Sequence, residues 1–307
     1  MGNANKDMGL ISKSISGYST EELGGKGYSL AILMKHGFQV LDGIILRAGA
    51  FERFMRDNGL YDTLAKTESG NYKKKDMVRL SNAVHGGTFP SGFRTQLMKE
   101  LELLRLSDKK LIVRSSANIE DAKNSSYAGQ FNTILGVCKS DLEKAIINVY
   151  ASIFNNSAVT YSKIKGMPVR QIKMAVVIQE FIDTDFAGVT FTSNPVMGNK
   201  DEMIVEYVRG QGENLVSGKK SPTGIVLDKK NLRVKSTYGD NAAGISGSKI
   251  LEVARAAQAI ARLFSMDMDI EWGIKDDKLL IFQARAITNN GQLHTKNNLG
   301  TDPVQGP

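Results

Sequence analysis

The stretch DIEWGIKDDKLLIFQARA, residues 269–286, has the pattern of two strands joined by a turn. Its two halves have the β-branched and aromatic content of strands, and KDDK between them has the composition of a turn. Side chains alternate between the two faces of a strand, so Asp269 and Glu271 point away from Ile270 and Trp272. In the second strand the same alternation places four residues on one face: Leu279, Ile281, Gln283 and Arg285. The sequence therefore predicts an antiparallel hairpin with polar residues gathered on one face.

The apolar residues also predict the register of this hairpin, because a slip of one residue would bury the carboxylates. The predicted pairs are Ile274 with Leu280, Glu271 with Gln283, and Asp269 with Arg285. Two carboxylates and one amide oxygen suit Mg²⁺, which takes one or two carboxylates together with phosphate oxygens. A guanidinium can hold phosphate through two hydrogen bonds. The alternative is an amphipathic hairpin whose polar face is only solvated.

A second candidate site lies within residues 111–137, LIVRSSANIEDAKNSSYAGQFNTILGV. The stretch begins with an apolar run that predicts a buried strand, and this run is followed by Arg114, two serines and an acidic pair. A cation at the tip of a strand, followed by a loop of small residues that contains Gly129 and Thr133, is one way to hold a phosphate. It is also one way to end an ordinary strand.

A third candidate lies in ELGGKGYSL, residues 22–30, where three glycines surround Lys26 directly ahead of a predicted helix. Free backbone amides and a helix N-terminus favour an anion, and lysine adds a positive charge. The spacing differs from that of a Walker P-loop. Taken alone, the stretch equally fits a turn and a helix start.

Helical and strand patterns divide the chain unevenly. The clearest helix is SDLEKAIINVYASIF, residues 140–154, which Ser140 and Glu143 are predicted to begin as a capping box. Strand patterns cluster after residue 173 and helical patterns before it. We therefore predict an α+β (mixed α/β) protein with mostly antiparallel sheets and a ligand cleft between two lobes. The predicted units are an N-terminal lobe over 1–180, a C-terminal lobe over 181–288 and a disordered polar tail over 289–307.

Composition excludes several classes of protein. The 307 residues include 40 Lys and Arg against 32 Asp and Glu, a net charge of +8. The basic residues are scattered and lack the interleaved aromatics of a single-strand binder, so no nucleic-acid partner is predicted. No apolar run is long enough to cross a membrane and none marks a signal peptide, so we predict a cytoplasmic protein without a membrane partner. The single Cys138 excludes an intrachain disulfide.

Five motifs, in this order, carry a family resemblance: LGGKGYSL, LIVRSSANIEDAKNSSYAGQFNTIL, VVIQEFIDTDFAGVTFTSNPVMG, GQGENLVSGKKSP and DIEWGIKDDKLLIFQARAIT. Together they span about residues 10–288. The chain resembles the N-terminal nucleotide-binding domain of the phosphoenolpyruvate synthase and pyruvate phosphate dikinase family, which includes rifampicin phosphotransferases. The resemblance implies a two-lobed ATP-grasp fold that binds ATP and Mg²⁺.

The resemblance also implies roles for individual residues. Lys26, Arg114 and Arg285 match residues that bind the phosphates, and Asp269 matches in position. The remaining matches fall into three groups: Gly129 and Thr133 in the loop over the phosphates, Gln179, Glu180 and Ile182 beside the adenine, and Glu271 and Gln283 as magnesium ligands.

Enzymes of this family pass the β-phosphoryl group of ATP to a histidine on a swivelling domain and release AMP. This sequence has no such histidine motif. We therefore expect an ATP-dependent dikinase-type module whose histidine domain and acceptor-binding domain act in trans or have been removed. The alternatives are a non-catalytic ATP-sensing module, a basic RNA-binding protein, a direct small-molecule kinase and an ATP-grasp ligase.

Overall fold

Two antiparallel sheets organise the part of the chain that the structure describes. The structure is a computed structural model, which describes residues 8–10, 17–68, 74–120, 131–164, 166–210, 222–239 and 244–287. The helices within these ranges are α1 (Thr20–Lys35), α2 (Ala48–Asp57), α3 (Leu60–Glu68), α4 (Lys74–His85), α5 (Phe93–Leu103), α6 (Leu142–Ala151), α7 (Asn156–Ile164) and α8 (Gly247–Phe264). The strands are β1 (Met8–Leu10), β2 (Gly43–Leu46), β3 (Leu111–Ala117), β4 (Thr133–Val137), β5 (Met174–Glu180), β6 (Phe186–Phe191), β7 (Glu202–Arg209), β8 (Thr223–Asp228), β9 (Val234–Tyr238), β10 (Met268–Lys275) and β11 (Lys278–Ala286).

The first sheet has the strand order β1-β2-β5-β3-β4. Its strand β5 is covered on both faces, which explains why MAVVIQE has an almost continuous apolar run. Val176 and Ile178 face a core that includes residues of α2 to α7, whereas Ala175 and Val177 face a second core shared with α1 and the other sheet. This sheet therefore lies between two hydrophobic cores.

The second sheet has the order β11-β10-β6-β7-β8-β9. Helix α8 covers one face with Ile250, Val253 and Ala257, against Met203 and Trp272 of the strands. The mixed α/β class and the mostly antiparallel sheets are thereby confirmed.

Helix α1 packs in the same core as the second sheet, through Leu23, Leu30 and Leu33. Its Gly27 amide also donates to Ser116 at the end of β3 in the first sheet, at 2.9 Å. Strands of the first sheet end at Glu180, and those of the second begin at Phe186. Because α1 contacts both sheets, the division into lobes 1–180 and 181–288 stays a prediction. The predicted tail, 289–307, lies outside the described residues.

The predicted capping box of the 140–154 helix is wrong. A 3-10 turn, Lys139–Asp141, precedes α6, and the residue at the N-cap position is Asp141 without a side-chain cap. The Ser140 hydroxyl instead donates to the Asp141 carboxylate at 3.1 Å. The α-helix therefore begins one residue later than an N-cap at Ser140 predicts.

The β10–β11 hairpin confirms the pairs Glu271 with Gln283 and Asp269 with Arg285. The predicted pair of Ile274 with Leu280 is wrong, because Ile274 lies opposite Leu279. A β-bulge after Glu271 accounts for the difference: Trp272 lies opposite Ile281, so Phe282 is the extra residue. The bulge also places Ile281 in the core, although alternation had put it on the face of Gln283.

Candidate functional site

Arg114 joins the two sheets. It leaves β3 of the first sheet, and its Nη2 donates to Glu271 Oε2 at 2.9 Å and to Gln283 Oε1 at 2.7 Å on the second. Its Nη1 donates to the carbonyl oxygen of Phe282 at 3.0 Å. Phe282 is the extra residue of the bulge, so the irregularity in the hairpin supplies a third acceptor for this guanidinium.

Glu271 is the partly exposed carboxylate of this cluster, with 31% of its side chain accessible. Burial raises the pKa of Glu271, but the adjacent guanidinium of Arg114 and the charge of Arg285 outweigh that effect. Lys26 also lowers this pKa, which therefore lies below the ordinary value of 4.5. Glu271 is thus held as a carboxylate, the form in which it can bind a cation.

Asp269 and Arg285 form the second ion pair of the hairpin. Arg285 Nε and Nη2 donate to Asp269 Oδ2 at 2.7 and 2.6 Å, whereas Asp269 Oδ1 is buried and has no hydrogen-bond partner in the described structure. Burial raises the pKa of Asp269, and the charge of Arg285 opposes the rise. Because about a third of the Arg285 side chain is exposed, at 32%, it can also reach a ligand.

Lys26 lies on α1 and points to the end of β3. Its Nζ donates to Glu120 Oε1 at 2.5 Å and to the carbonyl oxygen of Ser115 at 3.0 Å. Glu120 also accepts from the hydroxyl of Ser115 at 2.9 Å and from the amide of Ala117 at 2.8 Å. The buried Glu120 therefore fixes both the lysine and the turn after the strand.

Sequence reasoning missed Glu120 as a site residue. The only signal was an acidic residue five positions after Ser115, in a loop already suspected of binding phosphate. That signal does not identify its partner, because Lys26 is 94 residues away in the chain.

Backbone geometry explains how Lys26 reaches β3. Gly24 interrupts the regular helical conformation of α1 with φ 67° and ψ 172°. Ser116 compensates for the interruption, since its hydroxyl donates to the Leu23 carbonyl oxygen at 2.7 Å and accepts from the Gly27 amide. The glycine-rich stretch thus forms a break within a helix, where the sequence predicted a turn ahead of one.

Of the other predicted site residues, Thr133 lies on β4, and Gln179 and Glu180 lie at the end of β5. Thr133 lies opposite Arg114 in the β3–β4 pair and is exposed. Gln179 is buried and donates to the Leu41 carbonyl oxygen at 2.6 Å. Glu180 forms an ion pair with Lys109 at 3.1 Å. Gly129 lies outside the described residues.

Ile182 lies in the segment that links β5 to β6, and so joins the two sheets. It is partly exposed. The structure therefore places Ile182 at the junction of the two sheets, while the cations and carboxylates gather between β3 and the hairpin.

Glu271 and Gln283 fit the donor set of a magnesium site. They are directly paired on neighbouring strands, and both direct a side-chain oxygen to the same Arg114 nitrogen. A carboxylate and an amide oxygen leave the remaining positions around Mg²⁺ to phosphate oxygens and water. The three cations nearby are complementary to a polyphosphate.

A family profile described as "Pyruvate phosphate dikinase, AMP/ATP-binding domain" matches residues 20–243 and 237–303. The chain belongs to this family. The pyruvate phosphate dikinase profile thus covers the Arg114 cluster and every strand of both sheets except β1, and it identifies the chain as an AMP/ATP-binding domain.

Curated proteins of similar sequence include an uncharacterized phosphotransferase, YvkC, of Bacillus subtilis, 29% identical over 89% of this chain and 34% of the relative. A probable phosphoenolpyruvate synthase of Methanocaldococcus jannaschii is 28% identical over 89% and 26%. The rifampicin phosphotransferase of Bacillus cereus is 27% identical over 91% and 36%. The chain thus spans about a third of the length of these curated relatives.

Among solved structures, the D-alanine–D-alanine ligase of Bacillus anthracis is similar over 87% of this chain and 57% of its own, with a TM-score of 0.37 and 11% identity. The assignment to an AMP/ATP-binding family rests on the family profile. In the ranges that the structure describes, no helix combines the length and apolar composition needed to cross a bilayer.

Proposed function

We propose that this chain binds Mg-ATP between its two sheets and transfers the β-phosphoryl group to a histidine on a separate swivelling domain or chain, leaving AMP. The proposal rests on the contact of Arg114 with Glu271 and Gln283. In this contact a guanidinium of the first sheet, suited to phosphate, meets a carboxylate and an amide oxygen of the second sheet, which are suited to Mg²⁺.

The proposed division of roles follows from the chemistry of each side chain. Lys26, Arg114 and Arg285 hold the phosphates as cations, and Glu271 and Gln283 hold Mg²⁺, which supplies positive charge to the phosphoryl oxygens when bound. Thr133, the first residue of β4, and Gly129, which lies outside the described residues, are the two further residues proposed to contact the phosphates. Three residues near the sheet junction border the adenine: Gln179, Glu180 and Ile182.

Arg114 has to exchange partners when the nucleotide binds. In this structure its guanidinium donates to the two oxygens assigned to Mg²⁺. Polyphosphate oxygens offer it stronger bidentate acceptors, which frees Glu271 and Gln283 for the cation. The buried Nε of Arg114, which has no partner in the described structure, provides a further donor for such an acceptor.

In the proposed reaction a histidine nitrogen attacks the β-phosphorus of ATP. The bond to the oxygen shared with the α-phosphate breaks, AMP leaves with that electron pair, and the β- and γ-phosphoryl groups pass to the imidazole. Loss of the γ-group to water as inorganic phosphate leaves the β-phosphoryl on histidine. The chain's cations stabilise the charge that develops on the transferred group. The acceptor-binding domain would act in trans, in the cytoplasm.

The test is product analysis with ATP labelled at the β-position, in the presence of a histidine-bearing chain of a pyruvate phosphate dikinase family protein. Acid-labile label on that chain together with AMP is the expected result. Intact ATP with retained binding would instead indicate a sensing module. ADP without labelled histidine would indicate a direct kinase or a ligase.

A further inference from the structure

The loop between β6 and β7, residues 192–201, presents two apolar side chains to solvent. Val196 is 64% exposed and Met197 is 77% exposed. Met197 is the most exposed large apolar side chain in the described part of the chain. Single exposed apolar residues are ordinary, but two adjacent ones at the tip of one loop form a small contact surface.

The loop is held in shape by one buried side chain. Asn194 is 5% exposed, and its Oδ1 accepts from the amides of Val196 and Met197, both at 3.1 Å. Its Nδ2 donates to Glu202 Oε2 at 2.8 Å, and its amide donates to the carbonyl oxygen of Asn199 at 2.8 Å. Val196 and Met197 are therefore held by a fixed turn, which reduces the entropy lost on docking.

The position of this loop relative to the site follows from strand polarity. Strand β6 begins at Phe186, opposite Ile274, and ends at Phe191, opposite Asp269. Asp269 pairs with Arg285, at the phosphate-binding end of the hairpin. The loop starts directly after Phe191, whereas the segment assigned to the adenine precedes Phe186. The apolar tip therefore projects from the end of the sheet at which the phosphates are assigned.

We infer that Val196 and Met197 form the docking contact for the histidine-bearing domain that accepts the phosphoryl group. This inference rests on the proposed function. An acceptor histidine has to approach from the phosphate end, and the curated relatives are about three times as long as this chain, which leaves room in them for such a domain. Two apolar anchors suit a transient encounter, because a few residues carry most of the energy of an interface and weak interfaces are small. The partner surface is an apolar pocket next to its histidine.

The test uses Met197→Glu, with Met197→Leu as the conservative control and Ile164→Glu as the positional control. Ile164 is 74% exposed at the end of α7, in the other half of the fold, so it matches Met197 in exposure. Each variant is assayed for ATP-induced thermal stabilisation and for transfer of β-label to the histidine-bearing chain over a range of its concentrations.

Met197→Glu is expected to raise the KM for the histidine-bearing chain by roughly tenfold, as loss of an interface anchor does, with kcat and the ATP-induced shift unchanged. Both control variants should behave as the wild type. An unchanged KM in Met197→Glu, with labelling intact, would overturn the docking inference and leave the proposed function standing. Loss of the ATP-induced shift in this variant would also overturn the docking inference, since the loop would then contribute to nucleotide binding. Absence of labelling by the wild type would overturn the proposed function, and the inference with it.

Discussion

The guanidinium of Arg285 donates to the Asp269 carboxylate, and about a third of the Arg285 side chain is exposed. At about 100 times its dissociation constant, Mg-ATP should stabilise the wild type by roughly 2.7 kcal/mol. Arg285→Ala should lose most of this stabilisation, because a phosphate contact is removed. Thermal unfolding with and without Mg-ATP measures the effect. Arg262→Ala, an exposed arginine of α8, is the control and should keep the full shift.

Glu120 is the buried partner of Lys26, with 3% of its side chain exposed. Glu120→Gln should destabilise the protein by roughly 1–3 kcal/mol, because buried donors lose a charged acceptor. Urea denaturation gives the difference in the free energy of unfolding. Asp57→Asn is the control: its pair with Arg53 is exposed, and loss of a surface pair costs about 0–1 kcal/mol. Equal effects of the two substitutions would contradict a structural role for Glu120.

At the scale of the element, the break in α1 depends on Gly24. A Cβ at this position would lie 1.8 Å from the carbonyl oxygen of Ser116, and φ is +67°. Gly24→Ala should destabilise by roughly 2–4 kcal/mol, since a backbone contact has to open in addition to the cost of the left-handed conformation. Gly37→Ala measures the cost of the left-handed conformation without the steric contact, because Gly37 has φ +82° and no atom near its Cβ position. It should cost about 1 kcal/mol. Chemical denaturation of both variants decides the matter.

Asp185, in the segment between the sheets, contacts the β10–β11 turn: its carboxylate accepts a hydrogen bond from the Asp276 amide at 2.8 Å. This hydrogen bond and the charge of Lys275 lower the pKa of Asp185 below 3.8. A lowered pKa in the folded state stabilises the protein above the ordinary pKa, and this contribution is lost as the pH falls through the folded value. The difference in melting temperature between wild type and Asp185→Asn should therefore shrink from pH 7 to pH 3. A difference independent of pH would show that the carboxylate's charge does not matter.

At the scale of the molecule, Trp272 reports on the joining of the two sheets. It is the single tryptophan of the chain, is 1% exposed, and donates to the Thr190 hydroxyl at 2.9 Å. Its core includes α1, which also contacts β3 of the first sheet. Unfolding followed by tryptophan emission and by circular dichroism should give coincident transitions, as expected of one cooperative unit. Helical signal that persists after the emission change would indicate that the two halves unfold separately.

Features that depend on neighbours along the chain could be predicted from the sequence alone. Alternation and a short turn were enough to pair Glu271 with Gln283 and Asp269 with Arg285, because a wrong parity would have buried charge. The order of five motifs was likewise enough to predict the family, which the profile confirms. The mixed α/β class followed from the uneven distribution of helical and strand patterns.

Contacts between groups that are distant in the chain became visible only in the folded structure. The bulge at Phe282, which corrects the predicted pair of Ile274 with Leu280, turns a carbonyl oxygen to Arg114, a residue 168 positions away in the chain. Glu120 likewise meets Lys26 only because α1 breaks at Gly24 and packs against β3. Local patterns fix which face a side chain occupies, but contacts between distant segments depend on how helices and sheets pack, and that information is not contained in periodicity.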